Sequence, residues 1–152
     1  MSFVAILMGS ESDADVMAKA RAVLEEFGVD VETKVISAHR KPDALSKYVR
    51  DADERGCAVY ICGAGMAAAL PGVVAAQTPH PVIGVPIASS SAVGGGLDSL
   101  LSIVQMPPRV PVATVAINGA QNAGLLAVQI LATADETLAK SYAEFKRKLA
   151  DG

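Results

Sequence analysis

A chain of 152 residues with net charge −3 and no basic run suits one domain, residues 1–152, with ample core, and lacks the electrostatic footprint of a nucleic-acid binder. Its 51% hydrophobic and 19% charged residues, with mean hydropathy +0.37, are apolar for so small a chain, which predicts that part of its surface is buried against other copies. No apolar run approaches the ~18 residues that span a bilayer, no charged leader precedes the first strand, and Cys57 and Cys62 have neither redox nor metal-ligand spacing, so a cytoplasmic protein with reduced, buried thiols and no membrane contact is expected.

Val- and Ile-rich runs alternate with helical patterns from residue 3 to about residue 132, the mark of βαβ units around a parallel sheet. Residues 3–8 read as the first strand and residues 13–27 as an amphipathic helix, with Val16, Ala20, Val23, Leu24 and Phe27 on one face and Gly28 ending it. Residues 31–37 read as the second strand, after which Pro42 opens a polar-faced helix to about residue 54. Residues 58–62 are the third strand, residues 63–76 a glycine turn leading into an alanine-rich helix, and residues 82–85 a short fourth strand bounded by Pro81 and Pro86. A small-residue loop over residues 86–96 precedes a short helix at 98–104; residues 112–117 are the fifth strand, 122–131 a small-residue helix and 136–149 a terminal amphipathic helix. Continuous apolar strands imply burial on both sheet faces. The expected fold class is therefore α/β, a three-layer α/β/α sandwich with a central parallel sheet of about five strands, flavodoxin-like or Rossmann-like, plus a C-terminal helix.

Chemistry is expected where these strands end. Val35 to Asp43 reads V-I-S-A-H-R-K-P-D, which sets His39 and Arg40 at a strand's carboxyl end, the edge where open α/β sheets bind ligands. His39 reads as a proton carrier and Arg40 as an anion holder, against the plainer alternative of a loop histidine held by backbone groups. The first turn, G-S-E-S-D, brings Ser10 and Ser12 with backbone N–H groups to a helix start, a ready anion site, with Asp13 suited to sugar hydroxyls. The competing reading is an N-cap, Ser12 and Asp15 resembling a capping box. The third turn, Gly63-Ala64-Gly65-Met66-Ala67-Ala68, matches G-x-G-x-x-A, but residues 82–91 lack the acid that a dinucleotide site requires. Its glycines more simply let backbone approach a small flat ligand. His80, between two prolines, reads as an exposed turn without chemistry, and no Cys/His/Asp spacing points to a metal.

Taken together, M-G-S-E-S-D at residues 8–13, S-A-H-R-K-P-D at 37–43, G-A-G-M-A-A-A-L-P-G at 63–72 and S-I-V-Q-M-P at 102–107 closely resemble the N5-carboxyaminoimidazole ribonucleotide mutase family of purine biosynthesis, over nearly the whole chain. The resemblance implies transfer of a carboxylate from the exocyclic nitrogen of an aminoimidazole ribonucleotide to ring carbon C4, through released CO2, without metal, ATP or organic cofactor. It implies that His39 shuttles the proton, that Ser10 and Asp13 bind the ribonucleotide, and that Arg40 binds its phosphate. Ser12, Ser37, Gly63 and Leu70 join the substrate-binding set, and position assigns Ala64, Gly65, Met66 and Ala67, in the same set, as a wall that retains CO2 and Ser89, Ser90 and Ser91 as a lid. A homo-octamer with sites between subunits is also implied, as is a separate ATP-dependent enzyme to make the carbamate.

One position departs from the mutase pattern: Ala69 stands where that branch usually has histidine before Leu-Pro-Gly. The related branch that carboxylates aminoimidazole ribonucleotide directly with CO2 has a small residue there, yet tends to carry Lys at the position of Arg40 and Ser-Asn at that of Ala67 and Ala68. The mutase is therefore the expected activity, with the direct carboxylase and a non-catalytic nucleotide-binding module of flavodoxin-like shape as alternatives.

Overall fold

A computed structural model describes residues 1–152. Five parallel strands, β1 (Phe3–Met8), β2 (Val31–Val35), β3 (Cys57–Gly65), β4 (Val82–Ile87) and β5 (Ala113–Thr114), form one sheet in the order β2-β1-β3-β4-β5, the flavodoxin-like order. Six helices follow the chain: α1 (Ala14–Glu26), α2 (Pro42–Glu54), α3 (Leu70–Ala75), α4 (Leu97–Val104), α5 (Ala120–Ala132) and α6 (Glu136–Asp151).

Strand alternation divides the core into two layers. Val4, Ile6, Met8, Val59, Ile61, Ile83 and Val85 point to one face and meet Met17, Ala20 and Leu24 of α1 and Ala123, Ala127 and Val128 of α5. Ala5, Leu7, Tyr60 and Cys62 point to the other and meet Leu45 and Val49 of α2, Val74 of α3 and Ile103 of α4. The three-layer sandwich with a C-terminal helix is thus present. No helix is long and apolar enough to cross a membrane.

Helix ends follow the expected punctuation: α2 spans Pro42–Glu54, and Gly28 closes α1 at φ 71°, donating its N–H to the Glu25 carbonyl at 3.0 Å. Strand lengths depart from expectation. β3 runs through Gly65, so the G-A-G segment is strand rather than the turn into a helix, and α3 begins only at Leu70. Gly63 belongs inside the sheet because a Cβ there would collide with Met17 Sδ; the missing side chain is what seats Met17.

Pro86 lies within β4 instead of bounding it. Its carbonyl accepts the Asn118 N–H at 2.7 Å, so its nitrogen faces the β5 side, and there β5 has already ended at Thr114, opposite Gly84. No ladder donor is lost. β5 itself is two residues rather than six, since Pro111 precedes it and Asn118 turns the chain at φ 59°.

Candidate active site

The loops after β1, β2, β3 and β4 converge at the carboxyl edge of the sheet, over the switch point where the chain leaves β1 for β2 on one side and β3 on the other. They enclose a cleft of about 590 Å³, the size of a small-molecule site.

After β1, Ser10 is extended and caps a 3₁₀ turn over Glu11–Asp13, its Oγ accepting the Ser12 N–H at 3.3 Å and the Ser12 hydroxyl at 3.0 Å. This turn displaces the expected cap. Asp13 precedes α1 without a side-chain capping bond, so the Ser12–Asp15 capping box does not form. The Asp13 side chain is instead buried at 5% exposure, and desolvation raises its pKa, partly offset by the Ser10 backbone. A carboxyl kept in such a place without serving the helix is a functional candidate.

After β2, a tight turn presents His39 and Arg40. Ser37 accepts twice, its Oγ from the Arg40 N–H at 3.1 Å and its carbonyl from the Lys41 N–H at 2.9 Å, and Pro42 then starts α2. His39 and Arg40 stand exposed on this turn, and no carboxylate in the chain pairs with the Arg40 guanidinium. An unpaired guanidinium on a cleft wall is a ready fork for a phosphate or carboxylate.

After β3, Met66 is held at φ 52°, a left-handed conformation in which a side chain is strained. Met66 and Ala67 are exposed, whereas Ala68 and Leu70 are buried. After β4, Ser90 and Ser91 are exposed, while the Ser89 hydroxyl is buried.

Of the residues singled out in the sequence, Ser10, Ser12, Asp13, Ser37, His39, Arg40, Ala64, Gly65, Met66, Ala67, Leu70, Ser89, Ser90 and Ser91 all line this cleft. Gly63 does not, lying within the sheet beside Met17. Gly9, Ala38 and Ala69 also line it and were not singled out as contacts. Each adjoins a motif residue, but a small side chain carries no chemical signal of its own.

A larger cavity, about 730 Å³, lies at the opposite edge among Met1, Ser2, Phe27, Asp30, Leu138 and Ser141. Its ionisable side chains are Asp30 and Asp135, with the Met1 amino terminus on the same wall, and it contains no histidine and none of the motif residues of the strand ends. His80 is also remote from the site: its Nε2 is 3.9 Å from Asp53 Oδ1, an oxygen that already accepts from the Tyr60 hydroxyl at 2.6 Å and from Thr78 at 3.0 Å. Cys57 and Cys62 are buried free thiols, with burial pushing Cys57 up to about 11 and Cys62 further upward. No three His, Cys, Asp or Glu side chains converge as metal ligands.

A family model described as AIR carboxylase matches residues 3–152. The N5-carboxyaminoimidazole ribonucleotide mutase of Pyrococcus abyssi is 59% identical over 149 residues, covering 98% of this chain and 80% of the relative. The protein of the same name from Mycobacterium tuberculosis is 57% identical over 148 residues, 97% of this chain and 84% of the relative. Among solved structures, Treponema denticola PurE superposes with a TM-score of 0.88 at 29% identity, covering 99% of this chain and 93% of that one.

Proposed function

This chain belongs to the AIR carboxylase family, and we propose that it acts as an N5-carboxyaminoimidazole ribonucleotide mutase in purine biosynthesis, converting that carbamate to 4-carboxyaminoimidazole ribonucleotide. The observation that carries this reading is that three of the four family motifs, on the loops after β1, β2 and β3, enclose one cleft with the β4 loop, His39 and Arg40 standing on the β2 loop and Asp13 on the turn after β1.

Arg40 and the serines after β1 hold the phosphate, and Asp13 accepts hydrogen bonds from the sugar hydroxyls. The carbamate C–N bond breaks, its electron pair passes to the exocyclic nitrogen, and His39 supplies that nitrogen with a proton. Ring carbon C4 then attacks the released CO2, forming the C–C bond. Neutral His39 removes the C4 proton, which restores both the aromatic ring and the protonated imidazole. One histidine used first as acid and then as base suffices for this isomerisation. The wall formed by Ala64, Gly65, Met66 and Ala67 presents apolar side chains and backbone, which keeps CO2 beside the ring while the bonds exchange. We assign the protein to the cytoplasm as a one-domain subunit of a homo-octamer, with neither a nucleic-acid nor a membrane partner.

Ala69 supports a second reading, because a small residue on the cleft wall is the feature expected of direct carboxylation with CO2. Both are tested by following 4-carboxyaminoimidazole ribonucleotide in the ultraviolet. One cuvette holds fresh N5-carboxyaminoimidazole ribonucleotide in bicarbonate-free buffer, and the other aminoimidazole ribonucleotide with bicarbonate. Rapid product in the first alone supports the mutase; product only with bicarbonate replaces it with the carboxylase, and none in either removes both.

A further inference from the structure

The Ser89 Oγ is buried and meets no donor or acceptor in the protein, although Ser89 lines the cleft. Such an atom is costly, and native proteins seldom keep one without a use. Its surroundings hold it in place rather than satisfy it. The Ala88 N–H donates to Asn118 Oδ1 at 3.0 Å, the Ser89 carbonyl accepts the Ala92 N–H at 3.1 Å, and the Ile87 carbonyl below is occupied by Ser99 Oγ at 3.1 Å.

Gly65 lies directly against this hydroxyl on the β3 side. A Cβ at that position would touch Ser89 Oγ at 3.6 Å and crowd the Ile87 carbonyl at 3.2 Å, so glycine leaves the space beside the hydroxyl free of a side chain. The wall made by the β3 and β4 loops also carries no charged side chain; the guanidinium of the cleft, Arg40, stands on the β2 loop and its buried acid on the β1 loop.

Resting on the mutase reading above, we propose that Ser89 is a substrate-binding residue whose hydroxyl donates a hydrogen bond to the carboxylate at ring carbon C4. It is therefore a fixed part of the wall, and Ser90 and Ser91 alone remain free to move above the site. A neutral donor suits a group that alternates between carboxylate and CO2, since a fixed positive charge would favour the charged ground state over the step through CO2.

The test compares dissociation constants for 4-carboxyaminoimidazole ribonucleotide and for aminoimidazole ribonucleotide on the wild-type protein and on Ser89→Ala, with thermal melting of each protein. The expected result is a roughly tenfold or greater loss of affinity for the carboxylated nucleotide. Affinity for the uncarboxylated one should stay within about twofold, with no fall in Tm because the deleted atom has no protein partner. Ser89→Thr, which keeps a hydroxyl, should retain the preference for the carboxylated nucleotide. An equal loss for both nucleotides, no loss for either, or a Tm lowered by several degrees would overturn the assignment. Because the readout is binding, a wild-type protein that discriminates the nucleotides through Ser89 yet converts neither would sink the mutase reading and leave this one standing.

Discussion

The Arg40 backbone N–H donates to Ser37 Oγ at 3.1 Å, which closes the turn that carries His39 between them. His39 and Arg40, the proposed proton carrier and anion holder, are thereby set by one side chain that is itself at the cleft. A loop residue held this way is positioned before any ligand arrives.

Ser37→Ala should therefore cost more in activity than in stability. Losing one partly exposed hydrogen bond lowers stability by about 1 kcal/mol. Releasing the His39 turn should lower kcat/KM at least tenfold. Steady-state kinetics and urea unfolding on the same preparation decide the matter; a fall in stability with unchanged kcat/KM would show that the turn does not need this bond.

His39→Asn separates an enzyme from a binding module. The amide keeps a polar group of similar size but cannot exchange a proton, so turnover should fall by about 10²- to 10⁴-fold while aminoimidazole ribonucleotide still binds. Isothermal titration beside the ultraviolet assay measures both quantities. A variant that turns over normally would remove His39 from the chemistry.

Burial raises the Asp13 pKa above its unfolded value, which gives a pH-dependent prediction. An acid with a raised folded pKa binds its proton more tightly when folded. Its contribution is most favourable below the unfolded pKa and declines as pH rises through the folded pKa. Asp13→Asn cannot ionise, so its stability relative to the wild type should improve from acid to neutral pH and then level off, while kcat/KM falls at least tenfold through loss of a charged acceptor. Unfolding curves at several pH values test this; a pH-independent difference would mean that the carboxyl is no more desolvated in the folded chain than in the unfolded one.

Much of the site was legible because its motifs sit at strand ends, and strand ends follow from apolar periodicity. α2 was legible to the residue, with Pro42 at its first turn and Gly56 beyond its end. What could not be read depends on neighbours distant in sequence. Gly63 signals a turn until Met17 is known to fill its place, and Pro86 signals a strand end until β5 is known to stop beside Gly84. The displacement of the cap from Ser12 to Ser10, and the burial of the Ser89 hydroxyl beside Gly65, likewise have no local signature.

Gly63→Ala provides the control for a glycine in a motif that serves packing. Its methyl would meet Met17 Sδ and lie 3.0 Å from Ile87 Cδ1, overpacking that costs about 1–3 kcal/mol. Stability should fall while the KM for the nucleotide stays within a few-fold. A large rise in KM without destabilisation would return Gly63 to the binding surface.

The apolar composition finds a place on α4. Leu97, Leu101 and Val104 are 49%, 49% and 44% exposed at i, i+4 and i+7 spacing, on the side opposite buried Ser99 and Ile103. Met66, 49% exposed on the cleft, is joined to this helix because Ser102 Oγ lies 3.5 Å from the Met66 carbonyl as well as 2.8 Å from that of Asp98. A stripe of this kind is stabilised when another surface covers it, each half-exposed side chain contributing roughly 1 kcal/mol, about half the value for burying a fully exposed one. If copies of this chain meet here in the proposed octamer, Leu101→Lys places a charge in the contact. The wild type should sediment as one species of eight chain masses, and the variant should shift to smaller species with reduced kcat/KM. A wild-type monomer would remove the octamer, and an unchanged assembly in the variant would move the contact away from α4.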